Sequence, residues 1–172
     1  MPFVTTDDDV KLNYEETGNG FPILFIHEFA GDSRSWASQV AHFSDRYRCV
    51  VYDARGYLPS DVPDDAAKYS LPRAVADAVC VLDHLGIEEA HVVGFSMGSF
   101  TALHLALDHG PRVRSVTVAG GGYGSPPEGR AEFQAAAEAL GDRWEAEGAE
   151  AVAKEYSIGP ARVQFQNKDP RG

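Results

Sequence analysis

Gly94-Phe95-Ser96-Met97-Gly98 is the stretch on which the reading of this chain turns. Ahead of it His91-Val92-Val93 follows the Gly86 breaker and an acidic pair, the pattern of a buried strand. Behind it Phe100, Leu103 and Leu107, with alanines at 102 and 106, recur at helical spacing until Gly110-Pro111 stops them. A serine between strand and helix takes strained backbone angles to present its hydroxyl. Glycines two residues to either side leave room for the strand and helix to approach closely. The helix start aims N–H groups and the positive end of its dipole at the serine oxygen. The pentapeptide fits the G-x-S-x-G pattern of a nucleophile elbow. In a chain with 17 glycines such a match arises by chance about 0.1 times, so the flanking strand and helix carry the specificity.

The rest of the chain supplies a matching frame. Val10-Lys11-Leu12-Asn13-Tyr14 alternates like a half-exposed strand after an Asp7-Asp8-Asp9 turn. Pro22-Ile23-Leu24-Phe25-Ile26 is continuously apolar, as a strand covered on both faces should be. Residues 33–43 read as a helix with Trp36, Val40 and Phe43 inward, and Tyr47-Arg48-Cys49-Val50-Val51-Tyr52 as another buried strand ending at Asp53. Ser70 caps a helix carrying Leu71, Val75, Val79 and Leu82, which closes at Gly86. Strand 90–94, helix 97–109 and strand 113–119 follow. This alternation predicts an α/β fold: a mostly parallel sheet with helices on both faces.

Bulk properties narrow the class. A length of 172 residues fits one domain with a sizeable core, and 44% hydrophobic with 24% charged residues is ordinary for a globular protein. Net charge is −11, which disfavours nucleic acid and anionic membranes as partners and leaves a small-molecule substrate. The acidic groups at 7–9, 61–65 and 128–155 read as a turn and solvated faces. There is no run of about 18 apolar residues and no signal-peptide pattern at the start, so a cytoplasmic location is expected. Cys49 and Cys80 are too few for a disulfide framework and read as small core residues. No pair of His, Cys or Asp has zinc spacing, and the Gly120–Gly124 run lacks the Lys-Ser/Thr of a phosphate loop, so no metal or cofactor is expected. Nothing in the sequence indicates an oligomeric state.

Three separated motifs in order (His27 at the end of a buried strand, the segment Tyr52-Asp53-Ala54-Arg55-Gly56-Tyr57-Leu58-Pro59-Ser60-Asp61, and the elbow) resemble the α/β-hydrolase fold superfamily over roughly residues 10–125. The resemblance implies a serine hydrolase in which Ser96 is the nucleophile. It also implies an oxyanion hole made by the backbone amides of Phe29 and Met97, and a structural loop beside the site at 53–60. Serine rather than aspartate at the elbow argues against the dehalogenase and epoxide-hydrolase branches. Residues 1–124 are then the N-terminal part of the core, and 125–172 the start of a helical cap, with the chain ending before the remaining core.

Two departures from the family pattern stand out. Glu28 occupies the place of a usual glycine. Either it faces away and hydrogen-bonds locally, or it narrows the substrate range or donates a proton. All six histidines lie before residue 110, whereas the family order is Ser, then Asp or Glu, then His. His27 is the histidine nearest the site by this reading; the family gives that position a structural role, and the rival role is a substitute base. His42, His84, His91, His104 and His109 read as packing or surface residues. The expected activity is hydrolysis of a small ester, lactone or activated carbonyl compound, the 172 residues alone being nearly inactive. The alternatives are a non-catalytic ligand-binding protein of the same fold and a cofactor-free acyltransferase or perhydrolase.

Overall fold

Pro22 to Ile26 sits at the middle of a six-stranded sheet, where its apolar run is covered on both faces. In the computed structural model, which describes residues 2–122 and 126–159, the strands are β1 (Phe3–Thr5), β2 (Lys11–Thr17), β3 (Phe21–Ile26), β4 (Tyr47–Tyr52), β5 (Ala90–Phe95) and β6 (Val113–Ala119). They lie in the order β1-β2-β4-β3-β5-β6. Strands β4, β3, β5 and β6 run parallel, and β1 and β2 join antiparallel at one side. The expected α/β fold is therefore present. β1 was not expected, because three residues are too few to show a period.

The helices are α1 (Ala37–Phe43), α2 (Leu71–His84), α3 (Met97–Asp108), α4 (Arg130–Glu147) and α5 (Ala149–Tyr156). Side-chain alternation along the strands divides the core. Leu24, Ile26, Val50, Tyr52 and Val92 face α2 and α3, packing with Val75, Val81, Leu82, Ala102 and Leu105. Ile23, Phe25, Cys49 and Val51 face the other way, against Trp36 with Val40 and Phe43. Residues 33–43 are not one α-helix: Ser33–Trp36 form a 3-10 turn, capped by the Asp32 side chain, before α1 starts.

Helix α2 begins and ends as its sequence dictates. Ser70 Oγ accepts from the Arg73 N–H at 3.2 Å, and Pro72 sits in the first turn, where its missing donor costs nothing. At the other end Gly86 takes φ +64°, with Ile87 N–H on Leu82 C=O and Gly86 N–H on Asp83 C=O. That pair of bonds is the Schellman arrangement, which needs a left-handed residue where glycine is cheapest.

Helix α3 forms where expected, within one residue of the predicted end. Its buried face is Gly98, Ser99, Thr101, Ala102 and Leu105, while Phe100, Leu103 and Leu107 are exposed. Small residues let the helix lie close on the sheet, and the large apolar ones point out. Val116 and Val118 on edge strand β6 are exposed as well.

The chain divides into two compact units, residues 1–121 and 122–172. Within the second, Arg143 on α4 bonds Glu147 and reaches Glu155 on α5, both ion pairs at 2.7 Å. Residues 123–125 of the glycine-rich segment, and the final stretch 160–172, lie outside the described residues. Among the described residues, no helix is long and apolar enough to cross a membrane.

Two leucines test this division of the core. Leu24→Ala, at a fully buried position, should lower unfolding stability by about 2–5 kcal/mol, and Leu107→Ala should change it by less than about 0.5 kcal/mol. Urea denaturation of each variant measures both.

Candidate active site

The connection leaving β3 goes to β4 on one side, and the one leaving β5 goes to β6 on the other. A crevice opens where such connections part, outside the carboxyl ends of the strands. Register places Ile26 of β3 beside Gly94 of β5, so the residues after each strand emerge together. These are 27–31 and 96–98, the stretches that hold every residue singled out above for the site.

Ser96 adopts φ +49° and ψ −112°, a sparsely populated conformation for a side-chain-bearing residue. Its main chain is held from both directions. Its N–H donates to Ala119 C=O at 2.8 Å, and its C=O accepts from the Ser99 N–H at 3.0 Å and from Ser99 Oγ at 2.5 Å. The Ser96 side chain makes no cap to α3. Ser99 is fully buried and was not anticipated; its spacing of three after the elbow serine is the signal that could have found it.

The glycines of the elbow are there for space. A Cβ on Gly94 would collide with the Gly98 carbonyl, and one on Gly98 would collide with the carbonyls of Ile26 and His27. The start of α3 therefore rests on the end of β3, which brings Met97 next to the turn at 28–31. In that turn the Gly31 N–H bonds Glu28 C=O at 3.3 Å, with Ala30 left-handed at φ +54°.

Glu28 is buried, and its Oε1 accepts from Ser35 Oγ at 3.1 Å. Its carboxyl group occupies the space a Cβ on Gly31 would need. Of the two readings of Glu28, the geometry follows local hydrogen bonding. The glutamate folds beneath its own turn and braces it.

His27 is almost fully buried, and both ring nitrogens are engaged. The Ala54 N–H donates to Nε2 at 3.0 Å, which puts the ring proton on Nδ1, and Nδ1 donates to Glu28 C=O at 2.8 Å. A ring so engaged cannot accept a proton from Ser96 without losing the Ala54 bond, so it is a fastener and the substitute-base reading fails. His84 meets Tyr14, and His91 meets Ser115 at the opposite end of β5 from the elbow. Burial pushes the Cys49 and Cys80 thiols up, which keeps both in the poorly nucleophilic protonated form. Among the described residues, no three His, Cys, Asp or Glu side chains gather into a metal site.

Loop 53–60 closes the third side. Buried Asp53 accepts from Asn13 Nδ2 at 2.7 Å and from the Ser33 N–H at 2.8 Å, while Ser60 Oγ donates to Asp53 C=O at 2.6 Å. Arg55 is anchored by a two-toothed pair to Asp77, both contacts at 2.7 Å, and by Asp8 at 2.9 Å. Asp8 thus corrects the reading of residues 7–9 as merely solvated. The Arg55 guanidinium and the Thr6 hydroxyl hold the Asp8 carboxyl well below the usual carboxylate range. Burial pushes Asp77 up, against the pull of Arg55. From this loop the Tyr57 ring meets His27 edge-on, with centroids 4.8 Å apart. The Tyr57 hydroxyl accepts from the Ala30 N–H at 3.4 Å and donates to Met97 Sδ at 3.9 Å.

Comparison with known proteins agrees with this architecture. The family model described as alpha/beta hydrolase fold matches residues 22–154. This chain belongs to the α/β-hydrolase fold family. It is 40% identical over 110 residues to 3-oxoadipate enol-lactonase 1 of Acinetobacter baylyi, covering 64% of this chain and 40% of that protein. It is 37% identical over 99 residues to epoxide hydrolase 1 of Caenorhabditis elegans, covering 56% of this chain and 24% of that one. A solved epoxide hydrolase of the same superfamily, from metagenomes of hot environments, superposes with a TM-score of 0.68 at 31% identity, covering 70% of this chain and 41% of the other. The chain thus spans well under half the length of each.

Two predictions follow from the packing around the elbow. Gly98→Ala should cost about 1–3 kcal/mol by forcing α3 off β3, whereas Gly141→Ala, with open space around it in α4, should gain up to about 1 kcal/mol. Denaturant midpoints compare the two. The second concerns pH. Asp8's carboxyl is depressed in the fold, so its contribution is complete above the ordinary value of about 4 and is lost as pH falls below it. Stability measured between pH 5 and about 2 should therefore fall less steeply in Asp8→Asn than in the unaltered protein.

Proposed function

We propose that the whole protein is a serine hydrolase acting on a small ester, lactone or activated carbonyl substrate through an acyl-enzyme on Ser96. The observation that carries this is the Ser96 backbone: a strained conformation fixed by Ala119 and Ser99, with the hydroxyl unused as a helix cap. Strain held from both sides marks a residue whose side chain must be presented in one direction. Ser96 Oγ attacks the carbonyl carbon: the Oγ–C bond forms as the carbonyl π bond opens to an oxyanion, and collapse of that oxyanion breaks the bond to the leaving oxygen. The hydroxyl proton passes to a base and then to the leaving group, and water reverses the exchange to release the acid.

The Phe29 and Met97 amides are proposed to hold the oxyanion. Met97 opens α3, where the first N–H groups lack intrahelical partners and the dipole favours negative charge. The base is proposed to be a histidine oriented by an acid. Neither is supplied by His27, whose nitrogens are both engaged. By resemblance they come from later strands, and residues 125–172 are proposed to be the start of a helical cap. The similarity to a lactonase suits an acyl mechanism. The similarity to epoxide hydrolases extends to the fold, while the elbow here carries a hydroxyl rather than a carboxylate. No metal or cofactor is part of the proposed reaction.

A fluorophosphonate probe decides between this reading and that of a non-catalytic receptor. The full-length protein should be phosphonylated at Ser96, identified by mass spectrometry of the modified peptide, and Ser96→Ala should remain unlabelled. A folded protein that takes no label at Ser96 overturns the proposal in favour of the receptor.

A further inference from the structure

Resting on the reading of Ser96 as nucleophile, we propose that Tyr57 is a positioning residue of the oxyanion hole, its hydroxyl fixing the turn at 28–31 against the start of α3. The two amides proposed for the hole belong to different segments: Phe29 to the turn after β3, Met97 to the first residue of α3. Oxyanion stabilisation requires both donors to be in place before charge develops, so the distance between the segments must be set by something other than the substrate. The backbone sets part of it, through Gly98 resting on the Ile26 and His27 carbonyls. That contact fixes the root of the turn, and Glu28 braces it from beneath at Gly31, while Ala30 stands at φ +54° between them.

Tyr57 adds the constraint that links this turn to the start of α3. Its hydroxyl lies 3.4 Å from the Ala30 nitrogen, one residue beyond Phe29, and 3.9 Å from Met97 Sδ. It therefore touches the segments on both sides of the proposed hole. The ring is held in turn. It packs edge-on against His27, whose imidazole is itself locked by Ala54 and Glu28. The Tyr57 main chain is fixed by bonds from its N–H to Ala54 C=O at 3.1 Å and from the Ser60 N–H to its C=O at 3.0 Å. Arg55, two residues earlier, anchors the same loop to buried Asp77. The hydroxyl thus sits at the end of a rigid chain of contacts that begins on α2. Both contacts are long for hydrogen bonds, so the hydroxyl acts through its packing between the two segments.

Tyr57→Phe isolates the hydroxyl, because the ring and its His27 contact stay. The readout is phosphonylation of Ser96 in the full-length protein by a fluorophosphonate, with the maximal rate and the half-saturating probe concentration determined separately. The expected result is a maximal rate lower by about 10-fold, a fraction of the 10²–10³-fold loss seen on deleting one oxyanion donor outright. The half-saturating concentration should stay within about 2-fold, and the melting temperature within about 2 °C, as for a change that leaves core packing intact. A maximal rate within 2-fold of the unaltered protein overturns the proposal while leaving Ser96 as nucleophile. So does a loss confined to temperatures near a lowered melting point, which would mark a purely structural role. If the unaltered protein takes no label at Ser96, the serine mechanism fails and the role of Tyr57 falls with it.

Discussion

The start of α3 lies directly on the end of β3, with no side chain between Gly98 and the carbonyls of Ile26 and His27. Most of the site follows from that contact. It puts the residue after β5 next to the residues after β3, and it brings Met97 within reach of Tyr57. It also commits Ser96 to the sharp turn that such closeness demands. A conformation of that kind costs about 1–3 kcal/mol, and it persists because Ala119 and Ser99 bond both ends of the strained peptide. Both partners come from elements that pack on β5: Ala119 ends the neighbouring strand β6, and Ser99 lies in the first turn of α3.

Around this contact the polar groups are arranged to keep backbones still. His27, Glu28, Asp53 and Arg55 are all buried; His27, Asp53 and Arg55 hold main chain or another buried charge, and Glu28 holds the Ser35 hydroxyl. A buried ion pair such as Arg55–Asp77 adds little net stability, since desolvation offsets much of the attraction. Breaking it would strand a charge in the core. Its effect is to give loop 53–60 a single conformation, and through Tyr57 that conformation reaches the far side of the 28–31 turn.

The sheet and the strand–helix turn at Ser96 were readable because their signals are local. Apolar runs mark β3 and β4, Ser70 and Gly86 bracket α2, and the G-x-S-x-G spacing needs only five residues to be seen. What stayed illegible depended on partners distant in the chain. Periodicity put Phe100, Leu103 and Leu107 on one face of α3 without saying which way it points, and the closeness of α3 to the sheet selects small residues for the inner face. Asp8 looks like a solvated turn residue until Arg55, 47 positions on, is found against it. Glu28 stands where the family pattern has glycine; with Gly31 leaving room for its carboxyl group, it is a brace.

By itself the sequence determined the α/β alternation, the elbow with Ser96 at its centre, and the absence from residues 110–172 of any histidine that could serve the serine. Those are properties of spacing and composition, and they hold whatever the chain packs against. Tertiary structure alone decided that His27 is a fastener, that Ser99 and Ala119 hold the strained serine, and that Tyr57 lies between the turn and the elbow. Each of these rests on a hydrogen bond or ring contact between residues brought together by strand order, and strand order is set by how the sheet buries its two faces.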